Sequence, residues 1–551
     1  MTDKNANQNG NEHGVVLDQI NDVEHVVICF KKDAQIRLKQ GAFTSLASAD
    51  VDSVSKILDA QKDIKVERLF DQTEETLNAQ VAELNGHIDA DLPSLSSFYS
   101  VYTKTKKQSK EICKALESHP DIDEVYIEPP AVPALFAEPA EMVTEEALLT
   151  SPDFVPNQGY LNPAPAGVDA KYAWTIAGGK GDKVQVIDIE GGWNFSHEDL
   201  LKNQGGVIHG TPTTNASWEN HGTAVQGEIS GDENQFGVVG IAPKAKFSAA
   251  SIFGPGNSPA KAIKAAADKL NPGDIILIEL HRAGPNANGQ GQFGFIALEW
   301  WAADFAAVQY ASAKGVIVIA AAGNGAQNLD DAVYQGRFDR NQRDSGAILV
   351  GAGAPPSGNF GPDRSRLGFS NYGTLIDAQG WGREVTTTGY GNLQGGSDKN
   401  KWYTDTFSGT SSASPIVVGA VASLQSIHKT HKGSLLNFSQ IRNLLRTTGS
   451  PQTDGPNGAK TQRIGNRPNL NAAIAKILPQ SSSGIATRYW ARIQPTNPTL
   501  WLLVNNSWKR LDNADVEDLD LVQRSFLGSG SGVRVGFNNT NQIVWLATTG
   551  T

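Results

Sequence analysis

Hydrophobic residues near the start of the chain fall into short β-branched runs separated by stretches with helical spacing. Between residues 25 and 130 this pattern predicts strand, helix, strand, strand, helix and strand, the order of a ferredoxin-like α+β sandwich. The strands are predicted at 25–31, 64–70, 98–103 and 123–128, and the helices at 51–60 and 108–118. Residues 1–24 are polar and rich in asparagine, which predicts a disordered N-terminal tail.

A second pattern occupies residues 166–478, where fully apolar runs alternate with longer helical segments. Strands are predicted at 184–188, 275–280 and 315–321, and helices at 295–313 and from residue 411 onward. Strands that are apolar on both faces, with helices between them, predict an α/β fold with a parallel sheet covered by helices on both faces.

The pattern changes again at residues 481–484, a Ser- and Gly-rich boundary. Short strands at 533–537 and 542–546 around an Asn-rich turn predict a hairpin in a small C-terminal β domain, residues 485–551. Its tryptophans are expected to fill a core rather than to stack on a ligand. The acidic run at 512–520 lacks EF-hand spacing and predicts a solvated face.

Length and charge narrow the class of protein. A chain of 551 residues exceeds one ordinary core, so two or three domains are expected. The net charge of −11 argues against a nucleic-acid partner, and no apolar run is long enough to span a membrane. The N-terminus lacks the apolar region of a conventional signal peptide, so we expect a cytoplasmic protein or one exported by an unconventional route. The two cysteines, Cys29 and Cys113, are predicted to be free thiols.

Three polar side chains stand where predicted elements begin or end. Asp188 closes an apolar strand, His221 stands beside Gly222 at the opening of a predicted helix, and Ser411 lies where a small-residue loop enters a long apolar helix. A helix start offers free N–H groups and a positive dipole end, which favour a developing oxyanion. Each signal alone is weak, but the order Asp, His, Ser is the order of the subtilisin triad.

Four segments together resemble the subtilisin-like (subtilase, S8) serine peptidases, over about residues 165–475. The segments read Val-Ile-Asp at 186–188, Asn-His-Gly-Thr at 220–223, Ala-Ala-Gly-Asn at 321–324 and Ser-Gly-Thr-Ser at 408–411. The resemblance implies a subtilisin-like fold and a serine endopeptidase, a hydrolase, with Ser411 as nucleophile and His221 as base. It also implies that Asp188 orients the imidazole and that Asn324 stabilises the oxyanion.

The resemblance extends to the flanking segments. It implies that residues 25–130 form a propeptide that assists folding and inhibits the site, that 131–165 is a linker with a processing site, and that the chain is made as an autoprocessed zymogen. The proline-stiffened exit at 128–134 could then lie in the substrate groove as an added strand. The implied partners are a protein or peptide substrate and the chain's own propeptide. No cofactor is required, although structural calcium would fit the family.

Two departures from the family pattern affect the site. Asp188 is followed by Ile-Glu-Gly-Gly at 189–192, so the loop beside it must differ. Glu279 stands in the strand that forms one wall of the first specificity pocket, where the family has small residues. If Glu279 faces the pocket, a basic residue before the cut bond is favoured; if it points away, an apolar residue is favoured. The implied substrate-binding residues are Glu279, Leu280, Ala321, Ala322 and Gly323.

Two other functions use the same scaffold. In a transpeptidase or macrocyclase an amine, rather than water, would resolve the acyl-enzyme. In a catalytically weak binding protein the C-terminal β domain would hold a ligand, and the altered loop after Asp188 is the feature that favours this alternative.

Overall fold

The computed structural model describes residues 25–87, 92–135, 141–144, 150–478, 482–492, 498–505, 507–512, 514–527, 533–538 and 542–548. The predicted tail at 1–24 lies outside these ranges. The chain divides into two compact units, residues 1–471 and 472–551. In the described ranges, no helix has both the length and the apolar character needed to cross a membrane.

The first part of the larger unit is an antiparallel sheet with helices packed on it. Its strands are β1 (His25–Phe30), β2 (Ile36–Lys39), β3 (Ala42–Ser45), β4 (Lys65–Arg68), β5 (Phe98–Tyr102), β6 (Ile122–Ile127) and β7 (Ala131–Pro133). Its helices are α1 (Val51–Asp59), α2 (Glu74–Leu84) and α3 (Lys106–Leu116). The sheet order is β4-β5-β1-β6, and α1 and α3 close one core against it.

Helix α2 and the β2–β3 hairpin fall in stretches that the hydrophobic pattern left unassigned. Helix α2 buries only Leu77, Val81 and Leu84 among its apolar residues, so the hydrophobic pattern there is too sparse to predict a helix. The two cysteines are free, as predicted, with Cys29 buried and Cys113 half-buried.

The second part of the larger unit is an α/β layer structure. Its strands are β8 (Gln185–Glu190), β9 (Gln204–His209), β10 (Lys246–Ser251), β11 (Ile275–Ile278), β12 (Leu280–Ala283), β13 (Phe295–Ala297), β14 (Ile317–Ala321), β15 (Ile348–Gly353), β16 (Ile376–Trp381), β17 (Val385–Thr388) and β18 (Tyr403–Phe407). Its helices are α4 (Ala170–Ala173), α5 (Ala216–Ser230), α6 (Pro259–Lys269), α7 (Ala302–Ala313), α8 (Thr410–Lys432) and α9 (Phe438–Thr448). A further helix, α10 (Leu470–Ile477), includes the boundary between the two units.

Seven of these strands form the predicted parallel sheet, in the order β16-β15-β14-β11-β8-β10-β9. Ile187 and Ile189 of β8 pack in the core that contains α6 and α7. Because side chains alternate along a strand, Asp188 and Glu190 face the opposite side, where α5 and α8 lie. The α/β fold with a parallel sheet is therefore confirmed.

Two predicted boundaries in this part were wrong, and both affect the site. Strand β8 runs two residues beyond Asp188 and ends at Glu190. Residues 295–297, predicted as helix, form β13, which pairs with β12, and α7 begins only at Ala302. The apolar spacing continues through both β13 and α7, so periodicity alone did not separate them.

The smaller unit contains β19 (Ser482–Arg492), β20 (Thr499–Val504), β21 (Ser507–Asp512), α11 (Val516–Leu527), β22 (Val533–Phe537) and β23 (Ile543–Thr548). The strands form an antiparallel sheet in the order β21-β20-β19-β22-β23. The acidic run leads into helix α11, with Asp515 and Asp518 accepting hydrogen bonds from each other's backbone N–H groups. Trp490 and Trp508 are exposed, which contradicts the expectation that they fill a core.

A buried ion cluster joins the first part of the larger unit to the second. Arg282 of β12 is fully buried and pairs with Glu128, 2.9 Å away, and with Asp304 of α7, 3.3 Å away. Glu128 follows β6, so this pair ties the exit of the N-terminal sheet to β12.

Replacing Glu128 with alanine should loosen the N-terminal part, because it leaves the Arg282 charge buried with one partner fewer. Removing one member of a buried pair destabilises by up to about 3–5 kcal/mol. In a Ser411→Ala background, limited proteolysis should cut Glu128→Ala within residues 25–130 much earlier than the parent. Asp123→Asn, on the exposed side of β6, is the matched control. Equal cutting rates for Glu128→Ala and the parent would contradict this role.

Candidate active site

Ser411 occupies the first turn of α8, directly after a glycine turn. Gly409 has φ +118°, a conformation that L side chains rarely adopt, which explains the glycine at this turn. The N–H and Oγ1 of Thr410 both donate to Asn324 Oδ1, each at 2.9 Å. The carboxamide oxygen of Asn324 is thereby fixed against the start of α8.

His221 lies in the second turn of α5 rather than at its opening, because the helix begins at Ala216. Its ring packs against Phe407, with centroids 5.4 Å apart, next to the turn that carries Ser411. The glycine after His221 has a packing reason: a Cβ at Gly222 would lie 2.6 Å from the Trp193 ring. The absence of a side chain at Gly222 therefore lets the indole of Trp193 pack against α5 next to His221.

The carboxylate that meets the imidazole is that of Glu190, not that of Asp188. His221 Nδ1 contacts Glu190 Oε1 in a short hydrogen bond, and both side chains are buried. Asp188 Oδ2 instead accepts a hydrogen bond from Trp193 Nε1 at 2.8 Å. The family resemblance implied that Asp188 orients the imidazole, but in the structure Glu190 makes that contact and Asp188 bonds to Trp193.

The two acids of β8 differ in their expected charge. Burial raises the pKa of both carboxyl groups well above their usual values. The negative charge of Glu190 raises the pKa of Asp188 further, whereas a hydrogen bond with Asp188 lowers that of Glu190. Because two adjacent buried carboxyl groups do not both ionise readily, these effects favour ionisation of Glu190 before Asp188.

Glu279 is fully buried next to α8, the helix that carries Ser411. Its Oε1 accepts a hydrogen bond from Ser414 Oγ at 2.7 Å, one helical turn after Ser411. Burial raises the pKa of Glu279 well above its usual range, and the nearby acid Asp188 raises it further. The alternative in which Glu279 selects a basic residue is therefore not supported by its position.

Residues 131–135 lie in the groove as an extended peptide. Strand β7 pairs antiparallel with β12, with Leu280 opposite Pro133. The N–H of Ala134 donates to Glu279 O at 3.0 Å, and the N–H of Ser411 donates to Ala134 O at 3.2 Å. Leu135 continues into a bridge with Gly409. The peptide bond after Ala134 is thus presented at the N-terminus of α8.

Gln292 is a site residue that the sequence did not reveal. Its Oε1 accepts a hydrogen bond from Asn324 Nδ2 at 3.0 Å, and its Nε2 donates to Pro133 O at 3.0 Å. Gln292 lies in the Gly-rich loop between β12 and β13, which carries no recognisable motif. Its carboxamide connects the bound segment to the amide of Asn324.

Comparison with known proteins agrees with this geometry. The model of the Subtilase family, peptidase S8, matches residues 115–467. The chain belongs to the subtilase family.

Curated relatives of this subtilase are bacterial proteases. Subtilisin DY of Bacillus licheniformis is 30% identical over 278 residues, 50% of this chain and 86% of that protein. An alkaline protease of Alkalihalobacillus alcalophilus is 27% identical over 411 residues, 74% of this chain and 89% of that protein. Among solved structures, a protease from Pseudoalteromonas arctica PAMC 21717 matches with a TM-score of 0.43 and 20% identity, covering 60% of this chain and all of that one.

Among the described residues of this subtilase, no group of three or more His, Cys, Asp or Glu side chains could hold a metal ion. The acidic side chains of the site are instead engaged with the imidazole, with an indole N–H and with hydroxyl groups.

Glu228, two turns along α5 from His221, is a further buried acid. Neither of its carboxyl oxygens has a hydrogen-bond partner within the described part of the chain. Burial, and next the charge of Glu279, raise the pKa of Glu228 well above its usual value. A carboxyl group whose pKa is raised on folding stabilises the protein at low pH, and that contribution is lost as pH rises through the folded-state pKa.

Replacing Glu228 with glutamine should therefore stabilise the protein at high pH. In the Ser411→Ala background we expect a gain of about 1 kcal/mol or more in the free energy of unfolding at pH 8, shrinking toward pH 5. Thermal and urea unfolding across this pH range measure it, with Glu117→Gln on the exposed end of α3 as the control. A Glu228→Gln variant that loses stability equally at both pH values would disprove the assignment of a neutral buried acid.

Proposed function

We propose that this chain is a serine endopeptidase that cleaves peptide bonds through an acyl-enzyme on Ser411. The observation that carries the proposal is the hydrogen bond from the Ser411 N–H to the carbonyl oxygen of Ala134, in a segment that adds a strand to β12. A peptide held in this way presents its carbonyl carbon to the hydroxyl group at the helix start.

In the first step His221 takes the proton of the Ser411 hydroxyl as the oxygen attacks the carbonyl carbon. The imidazole becomes positively charged, so it needs an anion on its far side. Glu190 supplies this anion, because its carboxylate contacts Nδ1. Asp188 keeps Glu190 in place from behind and is itself held by the Trp193 indole.

Negative charge then develops on the former carbonyl oxygen. The N–H of Ser411 already points at this oxygen, and Asn324 Nδ2 is the second donor. In the uncleaved chain Asn324 Nδ2 donates a hydrogen bond to Gln292 Oε1. The Gln292 carboxamide must therefore move before this group can donate fully to the oxyanion. His221 next gives its proton to the leaving amine, and water repeats the sequence to release the acid and restore Ser411.

The same geometry supports a specific zymogen arrangement. The bond presented to Ser411 is Ala134–Leu135, which lies between the N-terminal sheet domain and the catalytic part. The domain at 25–130 shares a buried core with α6 and α7, as an inhibitor bound to its enzyme would. We propose that residues up to Ala134 are the propeptide and that the enzyme cuts itself after Ala134.

Self-cleavage predicts a defined new N-terminus. The purified wild-type chain should yield a fragment beginning at Leu135, detected by N-terminal sequencing and intact mass, whereas Ser411→Ala should stay whole because it lacks the attacking oxygen. The matched control is Ser412→Ala, whose hydroxyl donates to Trp381 O and Gly409 O and faces away from the peptide. A first cut at another bond in wild type, or a cut in Ser411→Ala, would contradict the proposal.

The role of Glu190 predicts a ranking of two substitutions. Replacing the carboxylate that orients a catalytic histidine with an amide lowers kcat by about ten-thousandfold in a comparable triad. We therefore expect Glu190→Gln to lower kcat by a factor of about 10³–10⁴ with little change in KM. The decrease in kcat for Asp188→Asn should be at least about ten times smaller. Labelling rates with a fluorophosphonate and pH–rate profiles check both variants, with thermal unfolding as the control for folding. A larger loss of kcat in Asp188→Asn than in Glu190→Gln would contradict this ranking and indicate that Asp188 orients His221.

A further inference from the structure

The residue before the cut bond is enclosed on all sides. Ala134 is 0% exposed, so no water-sized gap remains around its methyl group. Its backbone is held by Glu279 O on one side and by the Ser411 N–H on the other. Because Val132 lies opposite His281 in the β7–β12 pairing, the side chain of Ala134, two residues on, lies on the same face as that of His281, toward the space between β12 and the segment 321–324.

A buried imidazole bridges the two walls of this space. His281 belongs to β12, and its Nδ1 accepts a hydrogen bond from the backbone N–H of Asn324 at 3.2 Å. The ring is 0% exposed and lies beside Gly323, where an added Cβ would be 3.3 Å from His281 Nδ1. A side chain from one wall that bonds to the backbone of the other fills the gap between them.

The ring of Phe295 backs this imidazole. The centroids of the two rings are 4.9 Å apart, and Phe295 lies on β13, the strand next to β12. Asn371 Nδ2 donates to Phe295 O at 2.9 Å and to Ala322 O at 2.7 Å, so the backing strand and the far wall share one bridging amide. The imidazole of His281 is therefore held by its hydrogen bond from Asn324 and by the ring of Phe295. The backbone of Phe295 is in turn linked to Ala322 through Asn371.

We propose that His281, supported by Phe295, closes the first specificity pocket and restricts cleavage to bonds that follow small residues such as alanine. This inference rests on the proposed endopeptidase function and specifies its substrate class. A larger side chain would have to expel a ring that is packed and hydrogen-bonded in place, which close packing resists. Burial lowers the pKa of His281 to about 3, so the ring is neutral at working pH and the selectivity should not change with pH.

The test compares two peptide anilides built on the chain's own residues 131–134, Ala-Val-Pro-Ala and Ala-Val-Pro-Phe. The self-processed wild-type enzyme should cleave the alanine peptide with a kcat/KM at least about 100-fold above that for the phenylalanine peptide, since even one misfitting methylene changes kcat/KM by about 10–200-fold. In His281→Gly this ratio should fall to about 1 or below. Equal cleavage of both peptides by wild type would overturn the inference, as would an unchanged ratio in His281→Gly.

Failure of the proposed function is distinguishable, since an enzyme without peptidase activity would cleave neither peptide and would not react with a fluorophosphonate. If His281→Gly does not fold, self-processing of the full chain supplies a second measurement. Ala134→Phe should block or strongly slow self-cleavage, whereas Ala134→Gly should process normally. In a His281→Ala chain, Ala134→Phe should regain processing, a compensation that a purely structural role of His281 would not give. Rapid processing of Ala134→Phe in the otherwise wild-type chain would contradict the proposal.

Discussion

Three acidic side chains, Asp188, Glu190 and Glu279, meet on one face of the parallel sheet beneath the two helices that carry His221 and Ser411. Burial of several carboxyl groups is unfavourable unless they share protons and hydrogen bonds. Here the hydroxyl of Ser414, the indole of Trp193 and the imidazole of His221 supply those partners. The whole site is arranged around this buried acid cluster, in which Glu190 is the acid that meets the imidazole.

A second constraint is the strand that the chain places in its own groove. Strand β7 adds to β12 by backbone hydrogen bonds, the usual way in which an extended peptide joins a sheet edge. The buried pair of Glu128 and Arg282 ties that strand to the domain before it. In the proposed zymogen, the inhibitory domain and the bond to be cut therefore belong to one continuous segment, and the ion pair helps to fix which bond meets Ser411.

Much of this could be predicted from the sequence, because the signals were local. The apolar runs gave the parallel sheet, and the four motifs gave the positions of His221, Ser411 and Asn324. Asp188 and Glu190 could not be ranked in this way, since they are two residues apart on the same face of β8. Which of them meets the imidazole depends on how α5 packs against β8, a contact between segments distant in the sequence. Gln292 and His281 act through contacts between distant segments, which leave no local pattern.

The contact between His221 and Glu190 is tested most directly by the proton that lies between them. In one-dimensional NMR of the Ser411→Ala protein, a strongly hydrogen-bonded imidazole N–H gives a resonance far downfield, assigned by its loss in a His221→Ala variant. We expect this resonance to disappear in Glu190→Gln and to persist, with at most a small shift, in Asp188→Asn. A resonance that persists in Glu190→Gln and disappears in Asp188→Asn would contradict the account.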